Sequence, residues 1–202
     1  MDAILAIDIG TQSLKAGILD DQLTILERQQ VPLSIQLSNG CHAEMDGERI
    51  WSALVQACNG LTQRDRVGAV VFSTLCPSLV PLDGSGRPLH PVILHLDRRS
   101  GKEAQWALET VGKETFLNIS GNLPVPGGIS LTSLLWLKNH APEMYRRKDL
   151  CFGHVATLVL SRLTGHFLID PSNASFTGLY DTVGYSDWDE RLYGPLGIDP
   201  EK

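Results

Sequence analysis

Residues 3–19, AILAIDIGTQSLKAGIL, hold two short apolar runs, Ala3–Ile9 and Leu14–Leu19, on either side of a polar turn. Runs of this length bounded by turn residues predict two strands. Leu23–Pro32, following Asp20-Asp21-Gln22, predicts a third, and together they make a hairpin-connected sheet. Further along, Ile50, Trp51, Leu54, Val55, Cys58 and Leu61 recur at helical spacing within Glu48–Leu61, with Asp46 available as N-cap. Val67–Phe72 and Leu79–Leu82 read as strands divided by Ser73–Ser78, and Asp83-Gly84-Ser85-Gly86 reads as a turn. From Ser100 the pattern becomes helical, over Lys102–Val111, Glu114–Asn118, Leu131–His140 and Leu150–Leu163, with the Pro- and Gly-rich Asn122–Gly128 as a short loop. A strand-rich start followed by helices and further β segments is a mixed α/β arrangement.

The chain has 202 residues, the length of one large or two small domains, and at 43% hydrophobic and 20% charged it has the composition of a folded globular protein. A chain this long removes roughly 70% of its unfolded surface from water and needs no staples. No apolar run approaches the ~20 residues that span a bilayer. Asp2 puts an acid where an export signal wants positive charge, so a cytoplasmic protein is expected. With 17 basic against 23 acidic residues and a net charge of −6, nucleic acid is not an expected partner, nor is a membrane surface. Cys41, Cys58, Cys76 and Cys151 lie far apart without a C-x-x-C pair, which reads as four reduced thiols rather than a zinc site or a redox dithiol. The N-x-S triplets at Asn118 and Asn173 are attributed to chance.

Chemistry-bearing residues gather in two places. In Asp8-Ile9-Gly10-Thr11-Gln12-Ser13-Leu14-Lys15, a carboxylate at a strand end is a hard-oxygen ligand suited to Mg²⁺. Gly10 lets the backbone approach a phosphate, Thr11, Gln12 and Ser13 offer donors, and Lys15 adds a positive charge. A plain hairpin turn would use the same glycine. In Pro91–Arg99 an apolar strand runs into His95, Asp97 and Arg99, where a carboxylate accepts from hydroxyl groups and a guanidinium donates to them. The alternative is a solvated Asp–Arg pair at the start of a helix. Leu131, Leu134, Leu135 and Lys138 have helical spacing and read as packing, and Asp170-Pro171-Ser172-Asn173-Ala174-Ser175 reads as a locally capped turn.

Taken in order, these segments resemble the FGGY family of carbohydrate kinases, most closely its xylulokinase-like members. Asp8–Lys15 is similar to the family's first phosphate loop, and Glu44-Met45-Asp46 through Trp51 to its acidic approach to a tryptophan-bearing helix. Pro91–Arg99 resembles the family's I-L-W-x-D-x-R stretch, and Leu134–Pro142 with Trp136 its L-L-W helix. Leu163-Thr164-Gly165 with Asp170–Ser175 resembles its L-T-G…D-P-S-x-A-S hairpin, and Tyr180-Asp181 and Trp188 carry the likeness to Ile198. The resemblance implies a ribonuclease H-like, actin-like ATPase domain, a mixed β-sheet flanked by helices, as the first of two domains. It implies ATP and Mg²⁺ as cofactors and a sugar or polyol as substrate, bound in the cleft between the domains, and leaves a homodimer open. By the same likeness Asp8 positions Mg²⁺, while Gly10, Thr11, Gln12, Ser13 and Lys15 face phosphate. Cys76, Pro77, Ser78, His95, Asp97 and Arg99 face the sugar. The family's general base and second, nucleotide-binding domain match nothing within residues 1–202.

Some positions depart from the family pattern. Where xylulokinase-like members read S-G-Q-M-H-G, this chain reads Ser73-Thr74-Leu75-Cys76-Pro77-Ser78, and His95, Leu96 and Ser133 replace the usual Trp, Asn and Lys. A rewritten pocket wall argues against xylulose. Two alternatives follow, a non-catalytic sugar-binding or regulatory relative of such kinases and a family kinase for a pentose-derived signalling molecule. Asp8, Thr11 and Lys15 favour a kinase.

Overall fold

The structure, a computed structural model, describes residues 3–202. Asp2, which entered the reading of the N-terminus, lies outside them. In chain order the strands are β1 (Ala3–Ile9), β2 (Ser13–Leu19), β3 (Ile25–Pro32), β4 (Gln36–Ser38), β5 (His42–Met45), β6 (Val67–Thr74), β7 (Ser78–Leu82), β8 (Val92–Leu94) and β9 (Cys151–Gly153). The helices are α1 (Gly47–Asn59), α2 (Gly101–Val111), α3 (Lys113–Ile119), α4 (Ser130–His140), α5 (Pro142–Tyr145), α6 (Val155–Thr164), α7 (Pro171–Ser175) and α8 (Glu190–Tyr193). Among the described residues no helix is long and apolar enough to cross a membrane.

Two compact units divide the chain. The first runs to Ile35 and resumes over Met45–Leu75; the second comprises Gln36–Glu44 and Cys76–Lys202. In the first, a four-stranded sheet has the order β3-β2-β1-β6, antiparallel except for the parallel pair β1 and β6. A parallel step needs a crossover, and α1 lies in that connection. The period-two pattern puts Ile7, Ile9, Leu14, Ala16 and Ile18 inside, where Ile50, Ala53, Leu54 and Ala57 of α1 are also buried. Asp46 caps α1 as expected, its Oδ1 accepting from the Glu48 N–H at 2.8 Å. The buried stripe is narrower than the spacing suggested, since Val55 points to solvent.

In the second unit a five-stranded sheet has the order β4-β5-β8-β7-β9. Its strand β7, between β8 and β9, is buried throughout, and α4 is buried from Ser130 to Leu135. A helix hidden on nearly every face belongs inside a core, here with Phe116, Ile129, Leu179, Leu192 and Leu196. The single helix expected over Leu150–Leu163 is instead a strand and a helix. Cys151–Gly153 pairs with β7, His154 breaks the run, and α6 begins at Val155. A Cβ on Gly153 would lie 2.5 Å from that of Thr157, so glycine permits this tight strand-to-helix corner. Asp170 caps α7 through the Asn173 N–H at 3.0 Å, in line with the expected capped turn.

Candidate functional site

In the first unit, antiparallel pairing sets Asp8 opposite Lys15, and the ammonium donates to Oδ2 at 3.0 Å. Both side chains are about half exposed, so the pair adds at most about 1 kcal/mol to stability and both charges remain open to a ligand. The turn between them is tied down by the Gly10 N–H donating to the Ser13 carbonyl at 3.0 Å and the Leu33 N–H donating to that of Gln12 at 2.9 Å. Ser13 is buried, whereas Thr11 and Gln12 lie on the bend. Asp8 and Lys15 line a depression of about 410 Å³ with Gln30 and Ser73. A hard carboxylate oxygen beside a flexible cation at a strand end suits a magnesium-bound phosphate, so the donor set fits both implied cofactors.

In the second unit, Asp97 is 1% exposed and accepts from the Ala43 N–H at 2.7 Å, the Arg99 N–H at 2.9 Å and the Arg99 guanidinium. Arg99 Nη2 also reaches Glu44 Oε1 at 2.6 Å, and its guanidinium lies 4.8 Å from the centre of the Trp136 ring. Burial opposes the Arg99 charge, but the bonds to Asp97 and Glu44 outweigh it and hold its pKa above the ordinary arginine value. His95, two residues before Asp97, has a buried Nδ1 without a hydrogen-bond partner among the described residues. Gly127 packs over this turn at φ 72°. A Cβ there would run into the His95 carbonyl oxygen and Arg98 Nη1 and come within 2.8 Å of the Asp97 carbonyl.

The wall segment Cys76-Pro77-Ser78 begins with a cis peptide bond. Ser78 is fully buried and its Oγ accepts from the Val155 N–H at 3.2 Å. Cys76 Sγ lies 3.5 Å from Nδ1 of His154, a fully buried imidazole. The same Nδ1 is 3.1 Å from Asn173 Oδ1, and Nε2 is 2.6 Å from Ser130 Oγ. Asn173 Nδ2 in turn donates to Asp170 Oδ2 at 2.7 Å. Burial pushes the Cys76 thiol up to about 12, with the Asp170 charge adding to it. Burial lowers His154 to about 4, against the Asn173 bond and the Asp170 charge.

That depression predicts an acid sensitivity. As pH falls from 6.5 toward 4, the unfolded chain takes a proton at position 154 that the folded one refuses. Stability present above pH 6.5 is lost in that window, by up to about 3 kcal/mol. Urea unfolding at pH 7 and pH 4.5 should show the loss, and His154→Leu should flatten it; an equal slope in both proteins would discount this account.

Asp8 and Lys15 thus meet within one sheet, and Asp97 and Arg99 within one buried ion pair. Sequence reasoning missed Glu44 as a partner of Arg99, Trp136 as its stacking surface, Gly127 as a close-packed position and His154 altogether. The Glu44-Met45-Asp46 motif and the aromatic in Leu134–Pro142 were available signals for the first two. A cavity of about 270 Å³ in the second unit is lined by Ser130, His154 and Thr157 but does not include Asp97 or Arg99.

A profile of the FGGY family of carbohydrate kinases, N-terminal domain, matches residues 3–202. The chain is similar to a xylulose kinase of Staphylococcus xylosus, 29% identical over 99% of this chain and 41% of that kinase. It is also similar to a gluconokinase of Bacillus subtilis, 26% identical over 98% of this chain and 39% of that protein. In fold it resembles the crystal structure of Plasmodium falciparum glycerol kinase with ADP, with a TM-score of 0.87 and 23% identity over 98% of this chain and 41% of that one. The chain therefore spans about two fifths of the length of the relatives it matches. The actin-like sheet with its parallel β1–β6 step and the collinear motifs agree with the profile, and the chain belongs to the FGGY family of carbohydrate kinases.

Proposed function

We propose that this chain is the sugar-binding part of an ATP-dependent kinase that transfers a phosphoryl group to a sugar or polyol hydroxyl. The Asp8–Lys15 pair at the mouth of the β1–β2 turn carries this reading, because an exposed carboxylate and ammonium 3.0 Å apart at a strand end suit a cation and a phosphate bound together. Bound Mg²⁺ would neutralise charge developing on the moving phosphoryl group. Asp8 would hold that ion, Lys15 would draw in the phosphate, and backbone groups of Gly10–Ser13 would steady it. The sugar would lie against Cys76–Ser78 and His95, with Asp97 and Arg99 keeping that part of the wall in shape. No residue of the chain is assigned as general base.

The wall bears on which sugar. Cys76 and Ser78 turn their side chains toward His154 and Val155, and Pro77 has neither an N–H nor a side-chain donor. Leu96 adds exposed apolar surface beside His95. A substrate hydroxyl left unpaired there costs about 1–3 kcal/mol, a roughly 5- to 150-fold loss in kcat/KM. The protein at its full natural length should therefore phosphorylate a sugar or polyol but not prefer D-xylulose. ADP formation across ketoses, aldoses, deoxy sugars and polyols tests both parts. No sugar-dependent ADP from any of them would reject the kinase, and D-xylulose with the highest kcat/KM would reject the substrate reading.

A further inference from the structure

We propose that His154 is a positioning residue that sets the sugar-facing backbone of Cys76–Ser78 from beneath, and that the Asp170–Asn173 pair fixes its orientation. The inference rests on the kinase reading above. Three segments converge on this imidazole: the wall through Cys76 Sγ at 3.5 Å, α4 through Ser130 Oγ at 2.6 Å and α7 through Asn173 Oδ1 at 3.1 Å, while Thr157 Oγ1 of α6 accepts from the His154 main-chain N–H at 3.3 Å.

The donor pattern follows from chemistry. Asp170 accepts from Asn173 Nδ2, so the Asn173 oxygen is the atom turned to the ring and can only accept. Nδ1 must then carry the proton, which leaves Nε2 to accept from the Ser130 hydroxyl. Burial keeps the ring neutral, so it holds this one pattern across the physiological range. The next residue completes the attachment, because the Val155 N–H donates to Ser78 Oγ. Two of the three wall side chains are thus engaged from the start of α6, and what they leave for a ligand is main chain. A wall that presents main-chain groups depends on whatever fixes its backbone, and a small displacement there costs binding out of proportion to its size. The D-P-S-N-A-S motif, which by itself reads as a capped turn, acquires a purpose as the clamp on the imidazole.

The test uses the protein at its full natural length with its best sugar. His154→Leu removes the ring's polar contacts with Asn173, Ser130 and Cys76 at similar volume. It should raise KM for the sugar about tenfold while leaving kcat and KM for ATP within about twofold. His154→Gln, whose amide can still reach Ser130, should recover part of the loss. Should His154→Leu not fold, Asn173→Ala supplies the second measurement, with the same change in sugar KM but smaller, about threefold. An unchanged sugar KM in folded variants, or equal losses in kcat and both KM values, overturns the positioning role while the kinase reading stands. No phosphorylation of any sugar or polyol by the parent overturns both.

Discussion

Asp8→Asn at full natural length should lower kcat at least a hundredfold while moving the sugar KM by less than about threefold. Asn keeps the shape of Asp8 and can still face Lys15, so the sheet register of β1 and β2 is unaffected. What disappears is the negative charge that would hold Mg²⁺, and stabilisation of developing charge by a metal is worth several kcal/mol, or two to three powers of ten in rate. Initial rates over a magnesium titration at saturating sugar separate the two parameters. A near-parental kcat at every magnesium concentration would make Asp8 an ordinary strand-end acid. Lys15→Ala should be milder, about tenfold, because it removes one point charge from a phosphate that other donors still hold.

A second large effect concerns stability. Asp97→Ala in the 202-residue chain should cost about 3–5 kcal/mol, because removing one partner of a buried ion pair strands the other charge. Arg99 would keep Glu44 but lose its two-pronged contact, and the Ala43 and Arg99 N–H groups would lose their acceptor. The contrast with Asp8–Lys15 is one of solvent: the same charges are about half exposed there, and Asp8→Ala should cost under about 1 kcal/mol. Denaturant unfolding of both variants, read from the midpoint at constant slope, compares them directly. Equal small losses would mean that Asp97 is not structurally engaged in solution.

Much of the first unit was legible because its rules are local. The runs at Ala3–Ile9, Leu14–Leu19 and Val67–Phe72 each became a strand within two residues, and Asp46 announced α1 by its chemistry. The second unit was harder to read wherever tertiary contact overrides local pattern. The apolar Cys151-Phe152-Gly153 continues the helical spacing of α6, and only pairing with β7 makes it a strand. The short β4 and β5 carry no alternating pattern long enough to detect, and the Glu44-Met45-Asp46 motif, visible in the sequence, does not by itself show that Glu44 meets Arg99. His154 was invisible for a different reason. A lone histidine shows neither its burial nor its partners until residues 76, 130 and 173 are brought to it.

Gly127 has a consequence for inheritance. Every other amino acid carries a Cβ, and at this position that carbon would be driven into the turn spanning His95 to Arg98. No codon change that alters the residue can be accommodated by choosing a smaller or more flexible side chain, since alanine already brings the offending atom. Relief would have to come from moving the 95–98 backbone, which is held by the Arg98 N–H on the Cys41 carbonyl at 2.8 Å and by the Asp97 ion pair. Codon 127 should therefore be among the least forgiving in the gene, although its residue has no side chain.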